Sequence, residues 1–120
     1  MAGYVDGFVL VVPKKNVEAY RRMARAAGRI WREHGALEFR ECMSDDLTAQ
    51  HGLPFAKLLK LKRGEAVFFS WIVFKSRKHR DGVNKKVMAD ERLKAMMKER
   101  KMPFDTGRMS YGGFKVVVEA

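Results

Sequence analysis

Apolar residues alternate most cleanly over residues 65–74 of this chain, and both sides of the alternation are greasy. Val67, Phe69, Trp71 and Val73 fall on one side, and Phe68, Ile72 and Phe74 on the other, with Ser70 the one polar member. Successive side chains of a strand point to opposite faces, so a strand apolar on both must be covered twice. Phe8-Val9-Leu10-Val11-Val12 repeats the pattern in a strand predicted over 3–12, which Pro13 ends because proline cannot donate to a ladder. Residues 15–34 switch to a helical period. Val17, Tyr20, Met23, Ala24, Ala27, Ile30, Trp31 and His34 share one arc, and Arg21, Arg22, Arg25, Arg29 and Arg32 share the opposite one. Asn16 is the expected N-cap and Gly35 the expected stop. Gly28, at the edge of the apolar arc, weakens the helix by about 1 kcal/mol against alanine, and close packing is the expected reason for it.

A second strand is predicted over 36–43, with Leu37, Phe39, Glu41 and Met43 on one side. Residues 44–64 are irregular, with a short helical turn around Phe55, Leu58, Leu59 and Leu61; so long a connection is often functional. Ser76 caps a helix over 77–89 with Val83, Val87 and Met88 inward. Asp90 starts another over 91–99 with Leu93, Met96 and Met97 inward. Met102-Pro103-Phe104-Asp105 reads as a turn, and 108–118 as a fourth strand interrupted at Gly112-Gly113. The order β-α-β-β-α-β predicts one α+β domain over 1–120. It is a ferredoxin-like antiparallel sheet with the helices on one face, its first and third strands running parallel across a helical crossover. The other face is too apolar to meet water. A second copy related by two-fold symmetry is expected to cover it, giving a homodimer of the dimeric α+β barrel kind.

Composition changes this picture little. Apolar residues make up 47% of the chain, enough for a core, and no run approaches the roughly 20 residues of a membrane helix. With no secretion-signal pattern and a single cysteine, Cys42, the chain reads as cytoplasmic, with no membrane partner and no disulfide framework. The net charge of +11 lies mainly on helix exteriors. That placement suits a solvated surface, with salt-sensitive nucleic-acid binding as the alternative.

Longer matches then point to a family. They begin with Tyr4-Val5-Asp6-Gly7-Phe8, Val12-Pro13-Lys14, Ala19-Tyr20 and Met23-Ala24. They continue through His34-Gly35-Ala36-Leu37, Glu41-Cys42, Asp45-Asp46 and Phe69-Ser70-Trp71. They close with Arg80-Asp81, Val87-Met88-Ala89-Asp90, Arg92, Met102-Pro103-Phe104-Asp105, Arg108-Met109 and Tyr111-Gly112-Gly113-Phe114. In these the chain resembles the YbaA-like proteins, family 1428 of the domains of unknown function; segment 47–62 departs most from the pattern. The resemblance implies a ferredoxin-like fold of the dimeric α+β barrel superfamily. That superfamily holds monooxygenases of antibiotic biosynthesis, haem-degrading enzymes and small isomerases, beside proteins without known activity. The resemblance assigns no catalytic residue.

Five residues are the candidates for a ligand site: Asp6, Glu41, Trp71, Arg108 and Tyr111. Asp6 is a carboxylate inside an apolar strand and needs an arginine or hydroxyl partner. Strand four, carrying Arg108 and Tyr111, is expected beside it. The resulting choice is between a structural pair and a small polar site in a pocket lined by Trp71 and Tyr4. Conversion of a small molecule there would be monooxygenase- or isomerase-like, with no cofactor expected; the alternatives are the RNA-binding module and a structural dimer with no ligand. Other groups read as structural. Asp45-Asp46 suits a turn better than a metal site, and His34, His51 and His79 lack zinc spacing. His34 is expected to bond last-turn carbonyls, and Cys42 to be buried on its strand. Met88, Met96, Met97, Met102 and Met109 are expected to fill core gaps. Gly112-Gly113 is expected to form a bulge or a close crossing with a second copy, the alternative being a ligand's approach to the backbone.

Overall fold

The computed structural model describes residues 3–48, 50–98 and 102–120. Strand β1 (Tyr4–Pro13) leads through a 3₁₀ turn into helix α1 (Val17–Glu33). Strand β2 (Glu38–Met43), a one-turn helix α2 (Phe55–Leu58) and strand β3 (Glu65–Phe74) follow. Helices α3 (Arg77–Met88) and α4 (Glu91–Met97), a 3₁₀ turn at Thr106–Arg108 and strand β4 (Ser110–Lys115) complete the chain. The predicted strand over 65–74 is matched at both ends.

The four strands form one sheet in the order β2-β3-β1-β4, and every neighbouring pair is antiparallel. The expectation that strands one and three run parallel is therefore wrong. Leu10 faces Phe68 and Asp6 faces Ile72 in an antiparallel register. The parallel relation that a helical crossover enforces holds between β1 and β2, which are not adjacent in the sheet.

Even-numbered positions of β1 and β3 meet the helices. Tyr4, Ile72 and Phe74 pack with Ile30 of α1, Val83 and Val87 of α3 and Leu93 of α4. Leu10, Val12, Ala66 and Phe68 pack with Tyr20 and Ala24. Each of the larger aliphatic and phenylalanine side chains here, fully buried, contributes roughly 1.5–3 kcal/mol. The arginine arc of α1 stays in solvent. Gly35, at φ +115°, ends α1 in a conformation other residues resist. A Cβ on Gly28 would come 2.7 Å from the Phe39 ring, so close packing does explain that glycine.

Odd-numbered positions form the second face. Phe69 there is 45% exposed and Phe114 61%, with Trp71 half-buried between strands. Not every helix avoids this face: Phe55 of α2 sets its ring edge-on to Phe69, 6.3 Å between centroids.

Several local expectations are corrected. Asn16 occupies the N-cap of α1 without a side-chain bond, whereas Ser76 Oγ accepts from the His79 amide at 3.0 Å. Met88 and Met97 are exposed, because the inward arcs of their short helices are already filled by Val83, Val87 and Leu93. Strand β4 passes through Gly112 and Gly113 in regular register with Gly7 and Asp6, so there is no bulge. A Cβ on Gly113 would sit 2.4 Å from the Tyr4 hydroxyl, so that glycine makes room for a phenol. Strand β4 is also shorter than predicted; residue 99 of the predicted second C-terminal helix lies outside the described residues.

Candidate functional site

The helix-covered face of the sheet carries two carboxylates, Asp6 on β1 and Glu41 on β2. Period-two alternation puts both toward the helices, among apolar neighbours that offer no hydrogen bonds. Their partners come from the helices and, for Glu41, also from Ser70 of β3.

Asp6 is buried and held by α3. Arg80 Nη1 donates to Asp6 Oδ1 at 2.8 Å and Asn84 Nδ2 to Oδ2 at 3.4 Å. Arg80 also lies over the Tyr4 ring, 5.0 Å from its centroid, and donates to Asp81 at 2.8 Å. Asn84 Oδ1 accepts from the Trp31 indole at 3.0 Å, so the network crosses to α1. Burial lifts the Asp6 carboxyl above its ordinary range, with Arg80 and Asn84 pulling against it. The site is saturated: the oxygens, guanidinium and amide all have partners.

Glu41 lies in different surroundings. The Tyr20 hydroxyl of α1 donates to Glu41 Oε1 at 2.8 Å, and Ser70 stands opposite Glu41 in the β2–β3 register. Burial pushes the Glu41 carboxyl up, and the hydroxyls of Tyr20 and Ser70 only partly counter it. Tyr20 in turn is pushed far up by burial and by the Glu41 charge, so its phenol stays protonated. Among the described residues no cation balances Glu41. Beside it is a cavity of about 150 Å³ between α1 and the sheet, lined among others by Phe8, Leu10, Met23, Trp31, Phe104 and Met109. A hydrogen-bonded phenol and carboxyl, Tyr20 and Glu41, thus border an apolar space with room for a small ring.

Comparison with known proteins places the chain. Residues 3–106 match the family model described as "Protein of unknown function (DUF1428)". The chain belongs to that family. It is 41% identical over 116 residues to "Uncharacterized protein YbaA" of Escherichia coli strain K12, covering 97% of each chain, and equally to that of Shigella flexneri.

In this DUF1428 chain the five predicted site residues do not all converge: Glu41 and Trp71 both border the 150 Å³ cavity, and Asp6, Arg108 and Tyr111 do not line it. Asp6 and Glu41 share the helix-covered face but belong to separate clusters. Trp71 faces the other side of the sheet, where its indole donates to Glu38 at 3.4 Å, so Trp71 and Tyr4 do not line one pocket through their side chains. Arg108 does not reach Asp6. It clamps Glu65 at 2.7 Å and the Leu59 and Lys60 carbonyls at 2.9 and 3.0 Å, fastening the chain after α2 to β3. Tyr111 stacks on Phe8, 5.8 Å between centroids, and is 69% exposed.

The bland readings also divide. His34 does not bond last-turn carbonyls through its ring. Its Nε2 meets Asp90 Oδ2 at 2.8 Å, joining α1 to the cap of α4. Asp90 is held far below the usual carboxylate range, first by Arg92 and then by His34. Asp46 closes a local turn by accepting from the Thr48 amide, and no group of acidic, histidine or cysteine residues among those described is arranged to hold a metal. Cys42 is exposed on the second face, not buried, because β2 is an edge strand. No helix among the described residues is long and apolar enough to cross a membrane.

The residues missed by sequence reasoning are Tyr20, Ser70, Arg80 and Asn84. Arg80 and Asn84 fall with Val83 and Val87 on the inward arc of α3, at spacings i, i+3, i+4 and i+7. Polar residues on such an arc announce a buried polar partner.

Proposed function

We propose that this protein binds, and transfers a proton to or from, a small and mainly apolar molecule in the cavity beside Glu41. The observation that carries the proposal is the Tyr20–Glu41 hydrogen bond at the wall of a 150 Å³ apolar space. A carboxyl raised by burial is closer to the pKa useful to a general acid or base. The reading fits a ferredoxin-like domain of the dimeric α+β barrel type, and isomerase- or monooxygenase-like chemistry on a ligand about the size of benzene or phenol. Asp6, with its arginine clamp, positions Trp31 through Asn84 and does not itself react. Trp71, Arg108 and Tyr111 belong to the architecture around the site.

The assembly that goes with this reading is a homodimer, two copies meeting through the face that carries Phe69, Trp71 and Phe114. Two-fold symmetry lets one apolar patch cover its own twin, and the aromatic rings there are otherwise left to water.

Ligand-observed NMR with toluene and phenol tests the site. Both are expected to bind at millimolar concentration, and Glu41→Gln is expected to weaken phenol more than toluene. If neither binds, the cavity has no such role. Sedimentation equilibrium tests the assembly: a dimer at micromolar concentration, reduced to monomer by Phe69→Glu, is expected, and a wild-type monomer removes it.

A further inference from the structure

The cavity beside Glu41 has an antechamber. Between α1 and the edge strand β2 runs an open cleft of about 1150 Å³. Tyr20, Ala24, Phe39 and Glu41 line both spaces, so the cleft and the cavity adjoin at the Tyr20–Glu41 hydrogen bond. Its floor is apolar, from Ala24, Gly28, Phe39 and Met43. Its rim is a row of arginines, Arg21, Arg25 and Arg29, spaced four apart on one edge of α1.

The charges along this cleft are unequally satisfied. Arg21 is paired with Glu18 at 2.7 Å, and Arg92, at the far end, with Glu33 at 2.7 Å and Asp90 at 2.9 Å. Arg32 stands near the Glu38 carboxylate. Among the described residues Arg25 and Arg29 pair with no carboxylate, and both line the cleft, one helical turn apart. Adjacent guanidinium groups suit a planar oxyanion, which they can grip with parallel N–H donors.

We infer that the ligand of this site is an organic monocarboxylate: an apolar, ring-sized end in the cavity at Glu41, and a carboxylate held outside by Arg25 and Arg29. This rests on the reading of the Glu41 cavity above and adds the substrate class. It also gives part of the basic surface a purpose that needs no polyanion.

The test compares 4-phenylbutyrate with its neutral counterpart 4-phenylbutanamide, and with toluene, by titration calorimetry and ligand-observed NMR on the full chain. The carboxylate is expected to bind at least about tenfold tighter than the amide, because the two compounds differ mainly in the charge offered to the guanidinium pair. That preference is expected to shrink as salt is added. It is expected to fall below about threefold in Arg25→Gln/Arg29→Gln and to persist in Arg22→Gln, which removes an exposed arginine outside the cleft. Circular dichroism confirms that each variant is folded, and the salt series on the unaltered protein gives a reading that needs no variant. Equal binding of carboxylate and amide overturns the inference. So does a preference that survives the double substitution, or one that Arg22→Gln removes equally. If toluene binds and neither phenylbutyl compound does, only this inference falls; if toluene also fails, the cavity reading falls with it.

Discussion

Two carboxylates project from the same face of one sheet, a few residues from helices that cover both, and their surroundings give them different work. Asp6 meets a guanidinium and an amide, and its neighbours are themselves bonded on to Asp81, Tyr4 and Trp31. Glu41 meets hydroxyl groups alone and has open space beside it. A buried acid with a cation and no room is a fastening. One with neutral donors and room has reach left for something else. Burial alone does not separate them, since it raises both carboxyl groups.

The sharpest break of this comparison is removal of Asp6. Asp6→Ala takes the buried carboxylate from Arg80, whose side chain is only 20% exposed, leaving it the exposed Asp81 alone, and leaves the Asn84 amide hydrogens without an acceptor. The expected loss is about 3 kcal/mol in urea unfolding, most of it the cost of a buried cation left with a weaker partner. Replacing Asp6 and Arg80 together by Met is expected to be milder than Asp6→Ala alone. A loss below about 1 kcal/mol for Asp6→Ala would make the fastening ornamental.

Next in size is Gly113→Ala. The added methyl would collide with the Tyr4 hydroxyl, and Tyr4 supports Arg80. Overpacking there is expected to cost about 1–3 kcal/mol, measured by thermal unfolding. The same substitution in a Tyr4→Phe background, which removes the colliding oxygen, is expected to cost less.

Capping separates two helices more gently. Ser76→Ala is expected to lose about 1 kcal/mol and Asn16→Ala almost nothing, because only Ser76 accepts an amide hydrogen.

The smallest effect is the one most specific to Glu41. Its folded pKa lies above the roughly 4.5 of the unfolded chain. The unfolded state therefore ionises first as pH rises. The folded state is favoured below pH 4.5 and loses ground until the pH passes the folded pKa. Glu41→Gln has no such titration, so the wild type is expected to lose stability against this variant as the pH rises above 4.5 and to level off once the folded carboxyl has ionised, followed by paired melting curves. A difference that grows toward acid instead would mean that Glu41 is held by a cation.

The strands were legible because their chemistry is local. The run from Val67 to Phe74 has no polar break except Ser70, and Pro13 and Gly64 bracket the pair of central strands. Helix α1 declared itself through the opposition of its arginine arc to its apolar arc. What stayed hidden were meetings across long sequence separations. Asp6 and Arg80 are 74 residues apart, and nothing in either neighbourhood says which helix will lie over which strand. Strand adjacency suggested Arg108, which does share the β4 region, but its side chain turns to Glu65. Glu41 was named as a candidate without a partner; its donor Tyr20 was counted as grease, although a buried phenol oxygen always asks for a partner. Cys42 was misplaced for a different reason. Being on a strand implies burial only if that strand is central.

That exposed sulfur has a practical consequence. Cys42 is the chain's sole thiol, and it stands on the edge strand directly opposite Phe69 in register. The molecule therefore carries its own concentration gauge. If copies close over the aromatic patch, alkylation by a bulky maleimide should slow as the protein is concentrated and quicken on dilution, with no engineered label required.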